Sequence, residues 1–448
     1  MARAKKEAAL TPEERLQAAL VPDWEWPHKL PENWCWTTVG AINQYVGISA
    51  DPTKAKNETF ELYSVPSSAD NYPEIVLGAD IGSAKQSVKK GDVLLCKINP
   101  RINRVWKVSK YTDHSLLASS EWIVVRNSRL ISNYLMWCFR SPYFRGYMLS
   151  NVSGVGGSLM RAQPKFVQGY PVPVPPLAEQ QRIVDRIESL FAKLDEAKEK
   201  AQAVVDSFET RKAAILHKAF TGELTKKWRK SANTRWVYKK IKDCCKLGSG
   251  GTPSRKVPDF YKGDIPWIKT GEIEWNDIYD TEEKITQSAI DNSSARCYKP
   301  GVVLVAMYGM GVTRGKASIL RVQAATNQAV CVLEPQSALL YNRYLLYYFM
   351  RNYWDIREKA VGGNQLNLSL TIIKELNIEI PPIDEQVEIV QILDDLFAKE
   401  QQTKEAAEAV LEQIDLMKKS ILARAFRGEL GTNDPSEESA VELLKQII

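Results

Sequence analysis

The sequence predicts an α+β fold built twice over: two similar α/β domains, each followed by one long helix, related as a pseudo-two-fold internal repeat. Three observations predict it. Residues 175–224 align without a gap to residues 381–430. Both stretches carry apolar residues at heptad spacing between proline and glycine punctuation. The segments ahead of them share fainter marks at matching places.

The aligned stretches open on Pro-Pro-x-x-Glu-Gln and close on Ala-Phe-x-Gly-Glu-Leu, and nearly half of their positions are identical. Chance similarity between two helices does not reproduce both ends. Each copy reads as one helix, because tandem prolines precede a helix and Gly222 and Gly428 stand where a left-handed C-terminal cap belongs. In the first copy Ile183, Ile187, Leu190, Leu194, Ala197, Ala201, Val204 and Phe208 follow alternating steps of four and three. The second seam is Ile389, Leu393, Leu396, Glu400, Thr403, Ala407, Val410, Ile414, Met417 and Ile421. A sustained 3.5-residue period is a coiled-coil seam, and ~45 residues of helix make a rod of roughly 65 Å. Two separate amphipathic helices, each packed on its own domain, are the weaker reading of so long and narrow a stripe.

The domains correspond more loosely. Each has a Val-Gly-Gly turn, Val155-Gly156-Gly157 and Val361-Gly362-Gly363. Each has a turn feeding a buried strand, at 90–95 and 300–305, and an aromatic helical segment, at 133–137 and 343–347. The predicted segments are a helical extension at 1–30, a first domain at 31–174 and a spacer helix at 175–224. A second domain with a basic lead-in follows at 225–380, then a second spacer at 381–431 and a helical tail at 432–448. Thr11 caps the first helix, with Pro12 in its first turn.

Composition excludes several classes. The 448 residues are 44% hydrophobic and 25% charged, which is ordinary for a globular protein. No run is apolar enough for a membrane span, and the N-terminus lacks the apolar core of a signal peptide, so a cytoplasmic protein is expected. Seven cysteines without CxxC spacing read as buried, reduced thiols rather than disulfides or a zinc site. His28, His114 and His217 are scattered, so general-base and metal-ligand roles find no pattern. The segment Gly309-Met310-Gly311-Val312-Thr313-Arg314-Gly315-Lys316-Ala317 fails the phosphate-loop test at Met310 and Ala317, and reads as a basic loop between strands. The Asn-Pro-Pro-Phe type of motif of amino-methyltransferases is missing too. A self-contained nuclease or methyltransferase is therefore a poor reading.

Net charge is a mild +6, but positive charge is locally concentrated. Residues 97–112 hold Lys97, Arg101, Arg104, Lys107 and Lys110 without an acid. Arg and Lys there would neutralise phosphates, while Asn99 and Asn103 would read base edges. Parallel candidates in the second domain are Thr252, Ser254, Arg255, Lys256, Lys269, Tyr308, Thr313, Arg314 and Lys316. The lead-in at 226–242 adds eight basic residues. One such run is usually a solvated face. Two, in equivalent halves joined by a rod, favour DNA over a purely structural coiled-coil adaptor.

These marks resemble the specificity (S) subunit of type I restriction–modification systems. Those that carry the resemblance are Leu30-Pro31-Glu32-Asn33-Trp34, the Pro-Pro-Leu-Ala-Glu-Gln run from Pro175 with its partner from Pro381, and Ala-Phe-Thr-Gly-Glu-Leu at 219–224. The second domain adds Gly250-Gly251-Thr252-Pro253-Ser254, Ile265-Pro266-Trp267-Ile268 and Thr326-Asn327-Gln328-Ala329. The first domain departs from the pattern with Ser49-Ala50-Asp51-Pro52-Thr53. The resemblance implies two target-recognition domains reading the halves of a bipartite, asymmetric site in double-stranded DNA. The two helices would pack as an antiparallel coiled coil, built on Ile183, Ile187, Leu190, Leu194, Val204 and Phe208 against Ile389, Leu393, Leu396, Val410, Ile414 and Ile421. That ruler would dock two methyltransferase (M) subunits, with restriction (R) subunits joining them. S-adenosylmethionine, ATP and Mg would sit on those partners, leaving this chain non-catalytic. The tail from Ser439 would pair with the N-terminus. The specificity subunit of another DNA-modifying or phage-defence complex is the alternative.

Overall fold

The computed structural model describes residues 10–154, 160–232, 235–309, 311–362 and 366–448. Val155-Gly156-Gly157, Gly363 and Met310 lie outside the described residues. The chain forms two compact units, Met1–Ala201 with Ala409–Ile448, and Gln202–Glu408. Both divisions fall inside long helices rather than in loops.

In each unit a two-stranded antiparallel ribbon joins the start of the α/β domain to its end. Cys35–Thr38 pairs with Pro171–Val174, and Val237–Lys240 pairs with Asn377–Ile380. Pro171 and Pro173 alternate, so their missing N–H groups share one side of the ribbon, where no ladder bond is lost. The later strand of each ribbon runs directly into the Pro-Pro pair that opens a long helix.

Between the ribbon strands both units hold the same kernel. In the first unit Val93–Cys96 lies between antiparallel neighbours Val105–Lys107 and Trp122–Val125. In the second, Val303–Ala306 lies between Ala317–Leu320 and Val330–Pro335. The strand-feeding turns depend on Gly91 and Gly301, whose φ of 94° and 98° lies in the left-handed region that Cβ disfavours. The aromatic helix follows as Ser132–Arg140 or Asn342–Arg351. It buries Tyr134 or Tyr344, whose hydroxyl donates to a ribbon carbonyl, Pro173 or Glu379, at 2.8 Å in both cases.

The first long repeat is two helices, Leu177–Asp206 and Phe208–Phe220, where the periodicity predicts one; the second is the single helix Ile383–Ala425. The break sits at Ser207, whose hydroxyl donates back to the Ala203 carbonyl at 2.5 Å and competes with the helical ladder. Both helical stretches end on left-handed glycines, Gly222 (φ 72°) and Gly428 (φ 74°).

Within each unit the helix segments run antiparallel. In the first, Lys418 pairs with Asp195 and Asp415 with Lys198. In the second, Lys404 lies over the Phe208 ring, Glu400 on Arg211 and Phe397 under Lys212. Numbers rise along one helix as they fall along the other. Ile183, Ile187, Phe208, Ile389, Leu393 and Ile414 are buried, while Leu190, Leu194, Val204, Leu396 and Ile421 are partly buried. The second seam differs from expectation at Thr403, Val410 and Met417, which are exposed, while Lys404, Leu411 and Lys418 turn inward. Two successive four-residue steps, from Leu396 through Glu400 to Lys404, re-phase the stripe, because a straight helix drifts away from a strict heptad.

The tail packs within the first unit, as expected. The helix Ala440–Lys445 lies beside Pro12–Ala19, and Arg15 donates to the Ile448 carbonyl at 3.1 Å. The Asn33 carbonyl accepts from the Ala440 amide at 2.9 Å. Ala440 and Leu444 join Leu30, Trp36, Tyr134, Ile183 and Phe426 in one core.

Candidate nucleic-acid interface

The topology of the second unit gathers most of its predicted residues at one end of a sheet. The strand order is Cys245–Ser249, Val330–Pro335, Val303–Ala306, Ala317–Leu320, and these neighbours are antiparallel. The segments after Ser249, before Val330, after Ala306 and before Ala317 therefore emerge together. They carry Thr252, Ser254, Arg255, Lys256, Tyr308, Thr313, Arg314 and Lys316. Lys269 joins them, because Ile265–Ile268 runs parallel to Ala324–Thr326 and the Asn327 amide donates to the Ile268 carbonyl at 3.0 Å.

The Gly-Gly-Thr-Pro-Ser loop has a physical reason for its glycines. A Cβ on Gly250 would lie 1.7 Å from the Thr326 carbonyl oxygen, and one on Gly251 would lie 2.3 Å from Ser294 Oγ. The loop is pinned by Trp267 Nε1 on the Gly251 carbonyl at 3.0 Å and Tyr261 on that of Pro253 at 2.6 Å. Thr252 donates to the Gln328 side chain. Ser254 and Lys256 stand exposed on this rigid base.

Not every candidate faces outward. Arg255 bridges Glu283 at 2.7 Å and lies over the Tyr261 ring at 4.0 Å. Lys269 meets Glu282 and Glu283 at 3.3 and 3.0 Å, partners that hold its ammonium above the ordinary lysine range. Lys316 is on Glu274, and Arg314 donates to the Leu366 carbonyl. In the lead-in, Arg229 caps buried Glu385, and Lys240 and Lys242 share Glu375. Sequence reasoning counts cations, but acids distant in sequence fold against them.

In the first unit Lys97, Asn99, Arg101, Asn103 and Arg104 form the turn after Val93–Cys96, at the end of the kernel equivalent to that of the 307–316 loop. Lys107 does not join them. It pairs with Val93 at the opposite end of the hairpin, and its ammonium rests 2.5 Å from Asn133 Oδ1. The side-chain amide of Asn103 donates to the Arg140 carbonyl at 3.0 Å. Asn99 and Asn103 adopt left-handed φ of 47° and 54°, which asparagine tolerates better than most residues, and they bracket the short helix Pro100–Ile102. Arg101 is exposed. Arg161, on Glu121 at 3.3 Å and bridged to Ile98, lies beside this turn and was missed; no local sequence signal marks it.

Most of the seam residues build the helix pair and are buried or partly buried; Thr403, Val410 and Met417 are exposed, with Leu416 beside them. The repeat motifs are fasteners. Gln180 donates to the Pro175 carbonyl and accepts from the Ile131 amide, both at 3.0 Å. Gln386 repeats this with Pro381 and Tyr341 at 2.8 Å. Buried Glu179 receives Thr432 at 2.7 Å and Arg182 at 3.1 Å, while buried Glu385 receives Thr225 at 2.7 Å and Arg229 at 3.0 Å. In each unit the start of one long helix is thus tied to the segment that follows the other's Gly-Glu-Leu stop. His28 is structural: it is packed edge-on to Trp36 and Tyr143, its Nε2 is 3.0 Å from the Phe426 carbonyl, and burial pushes its pKa down.

Comparison with known proteins agrees with this anatomy. Residues 233–413 match the family model described as the type I restriction modification DNA specificity domain. The Type I restriction enzyme EcoKI specificity subunit of Escherichia coli (strain K12) is 25% identical over 350 residues, covering 72% of this chain and 73% of that protein. The MjaIX specificity subunit of Methanocaldococcus jannaschii is 29% identical over 183 residues, covering 39% of this chain and 41% of that protein. In fold, the crystal structure of the HsdS subunit from Thermoanaerobacter tengcongensis superposes with a TM-score of 0.64 at 20% identity, over 91% of this chain and all of that one. Duplicated domains, paired helices and these relatives point the same way: the chain is similar to the specificity subunits of type I restriction–modification systems, and its residues 233–413 match the DNA specificity domain.

Proposed function

We propose that this chain is the DNA-recognition subunit of a type I complex, with each α/β domain reading one half of a bipartite, asymmetric site. The helices set the gap between half-sites and dock two methyltransferase subunits, which restriction subunits join. S-adenosylmethionine, ATP and Mg belong to those partners in this reading, the chain itself is non-catalytic, and the complex works in the cytoplasm. One observation carries the proposal. The two units share a kernel and place a basic loop at the same end of it, yet the loops differ in sequence and length. A common frame with divergent loops suits two readers of different sequences. Of the candidates, Arg101, Thr252, Ser254, Lys256, Tyr308 and Thr313 best suit direct contact, since they are not tied up in internal ion pairs. Exchanging residues 225–380 for those of a relative, in a complex with the methyltransferase, should change one half-site and leave the other intact. A change in neither half would count against the assignment.

A further inference from the structure

Two arginines outside the candidate set occupy corresponding places in the two halves. In the second unit Arg357 lies on Tyr353–Glu358, the helix after the aromatic helix. Its Nη1 donates to the Arg314 carbonyl at 2.5 Å and its Nη2 to the Gly311 carbonyl at 2.6 Å. Tyr353 accepts from Nη1 at 3.2 Å and donates to the Val312 carbonyl. In the first unit Arg145 lies on Pro142–Ser150, again after the aromatic helix, and its Nη2 donates to the Arg101 carbonyl. Both arginines hold the loop that follows the central kernel strand.

The effect is on the direction of the backbone dipoles. A loop that shows its carbonyl oxygens to DNA repels phosphate, whereas one that shows its N–H groups attracts it. Arg357 and Tyr353 occupy three carbonyls between Gly311 and Arg314. Among the described residues, the amides of Val312 and Thr313 have no hydrogen-bond partner, and Val312 is exposed. Gly311 (φ 63°) and Gly315 (φ 90°) permit the path, and a Cβ on Gly315 would lie 3.2 Å from Arg357 Cγ. Trp275, itself left-handed at φ 64°, backs the clamp with its ring 5.5 Å from that of Tyr353. Gly311 to Gly315, within the segment that fails as a nucleotide loop, form a braced turn whose Val312 and Thr313 amides are unpaired among the described residues.

We propose that Arg357 with Tyr353, and Arg145 in the other half, are positioning residues for DNA binding. They turn the loop carbonyls inward so that main-chain amides and neighbouring cations meet the DNA backbone. This rests on the function proposed above. The test measures binding of the complex with its methyltransferase to duplex carrying its site, across a salt series, for the wild type, R357Q, R357K, Y353F and R145Q. R357Q should weaken binding about tenfold and flatten the slope of log Kd against log salt by about one, the signature of one lost phosphate contact. R357K should recover part of the loss, since an ammonium reaches one carbonyl and not two. Y353F should weaken binding about threefold with no change in charge, and it carries the test if R357Q fails to fold. Wild-type affinity and slope in a folded R357Q or Y353F overturn the positioning role, as does lost affinity with an unaltered slope. A wild-type complex that binds no DNA overturns the function itself, and this role with it.

Discussion

At the scale of single residues, what the sequence reveals is whatever has only one physical explanation. Gly222 and Gly428 were legible as helix caps because nothing else follows a long helix with Gly-Glu-Leu so naturally. Gly250 and Gly251 were legible as marks, though their reason, a backbone pressed on Thr326 and Ser294, emerges only in three dimensions. Arg357 was illegible, because its partners lie more than forty positions away on a loop. Thiols behave as composition suggested: burial pushes Cys35 up to about 12 and moves Cys138 and Cys331 upward, while Cys297 is the one partly exposed cysteine. Alkylation at pH 8 followed by mass spectrometry should label Cys297 first, with Cys35, Cys138 and Cys331 modified only on unfolding. Rapid labelling of Cys138 in the native chain would contradict that burial. A second prediction concerns Glu375, held at about 2 by Lys240 and Lys242. A depressed carboxylate contributes stability above its ordinary pKa and loses it as pH falls toward 2. The melting temperature of E375Q should therefore trail wild type at pH 6 and converge with it below pH 3, with a smaller gap in high salt because the pair is exposed.

At the scale of elements, period and punctuation predicted the long helices well and their detail less well. The Ser207 break depends on a hydroxyl returning to Ala203, a competition that propensity does not reveal. The seam was right near both helix starts and slipped by one residue after Glu400. Lys404 and Lys418 lie over Phe208 and Phe191 at 4.9 and 5.0 Å. Snorkelling stems fill a seam that a hydrophobicity count leaves open. The correction has a measurable consequence. Replacing buried Ile414 by alanine should cost about 2–4 kcal/mol in urea unfolding, while V410A should stay within about 0.5 kcal/mol. Equal costs would restore the strict heptad. If Val410 serves partner docking, V410A should instead weaken methyltransferase binding.

At the scale of the whole molecule, the repeat contains two kinds of similarity. Its well-matched part fastens structure: Glu179, Gln180, Glu385 and Gln386 recur because each unit needs the same ties at the root of a long helix. Its poorly matched part is the loop set at one end of each kernel, where the proposed reading occurs. Architecture was legible because duplication exposes it. The proposed recognition surface was only half legible, because acids such as Glu274, Glu282 and Glu283 neutralise cations that the linear sequence shows as free. Removing one matched heptad from each long helix shortens the rod by about 10 Å and should shorten the unread gap by about three base pairs. The half-site sequences should not change. An unaltered gap with tight binding would remove the ruler from this account.

The central claim, that two halves read two separate sequences, is tested most directly by single-molecule mapping of methylated adenines. The DNA would come from cells expressing this chain with its methyltransferase. The account predicts one motif of two short specified segments divided by a fixed run of unspecified base pairs. A single uninterrupted motif, or methylation without any motif, would contradict it.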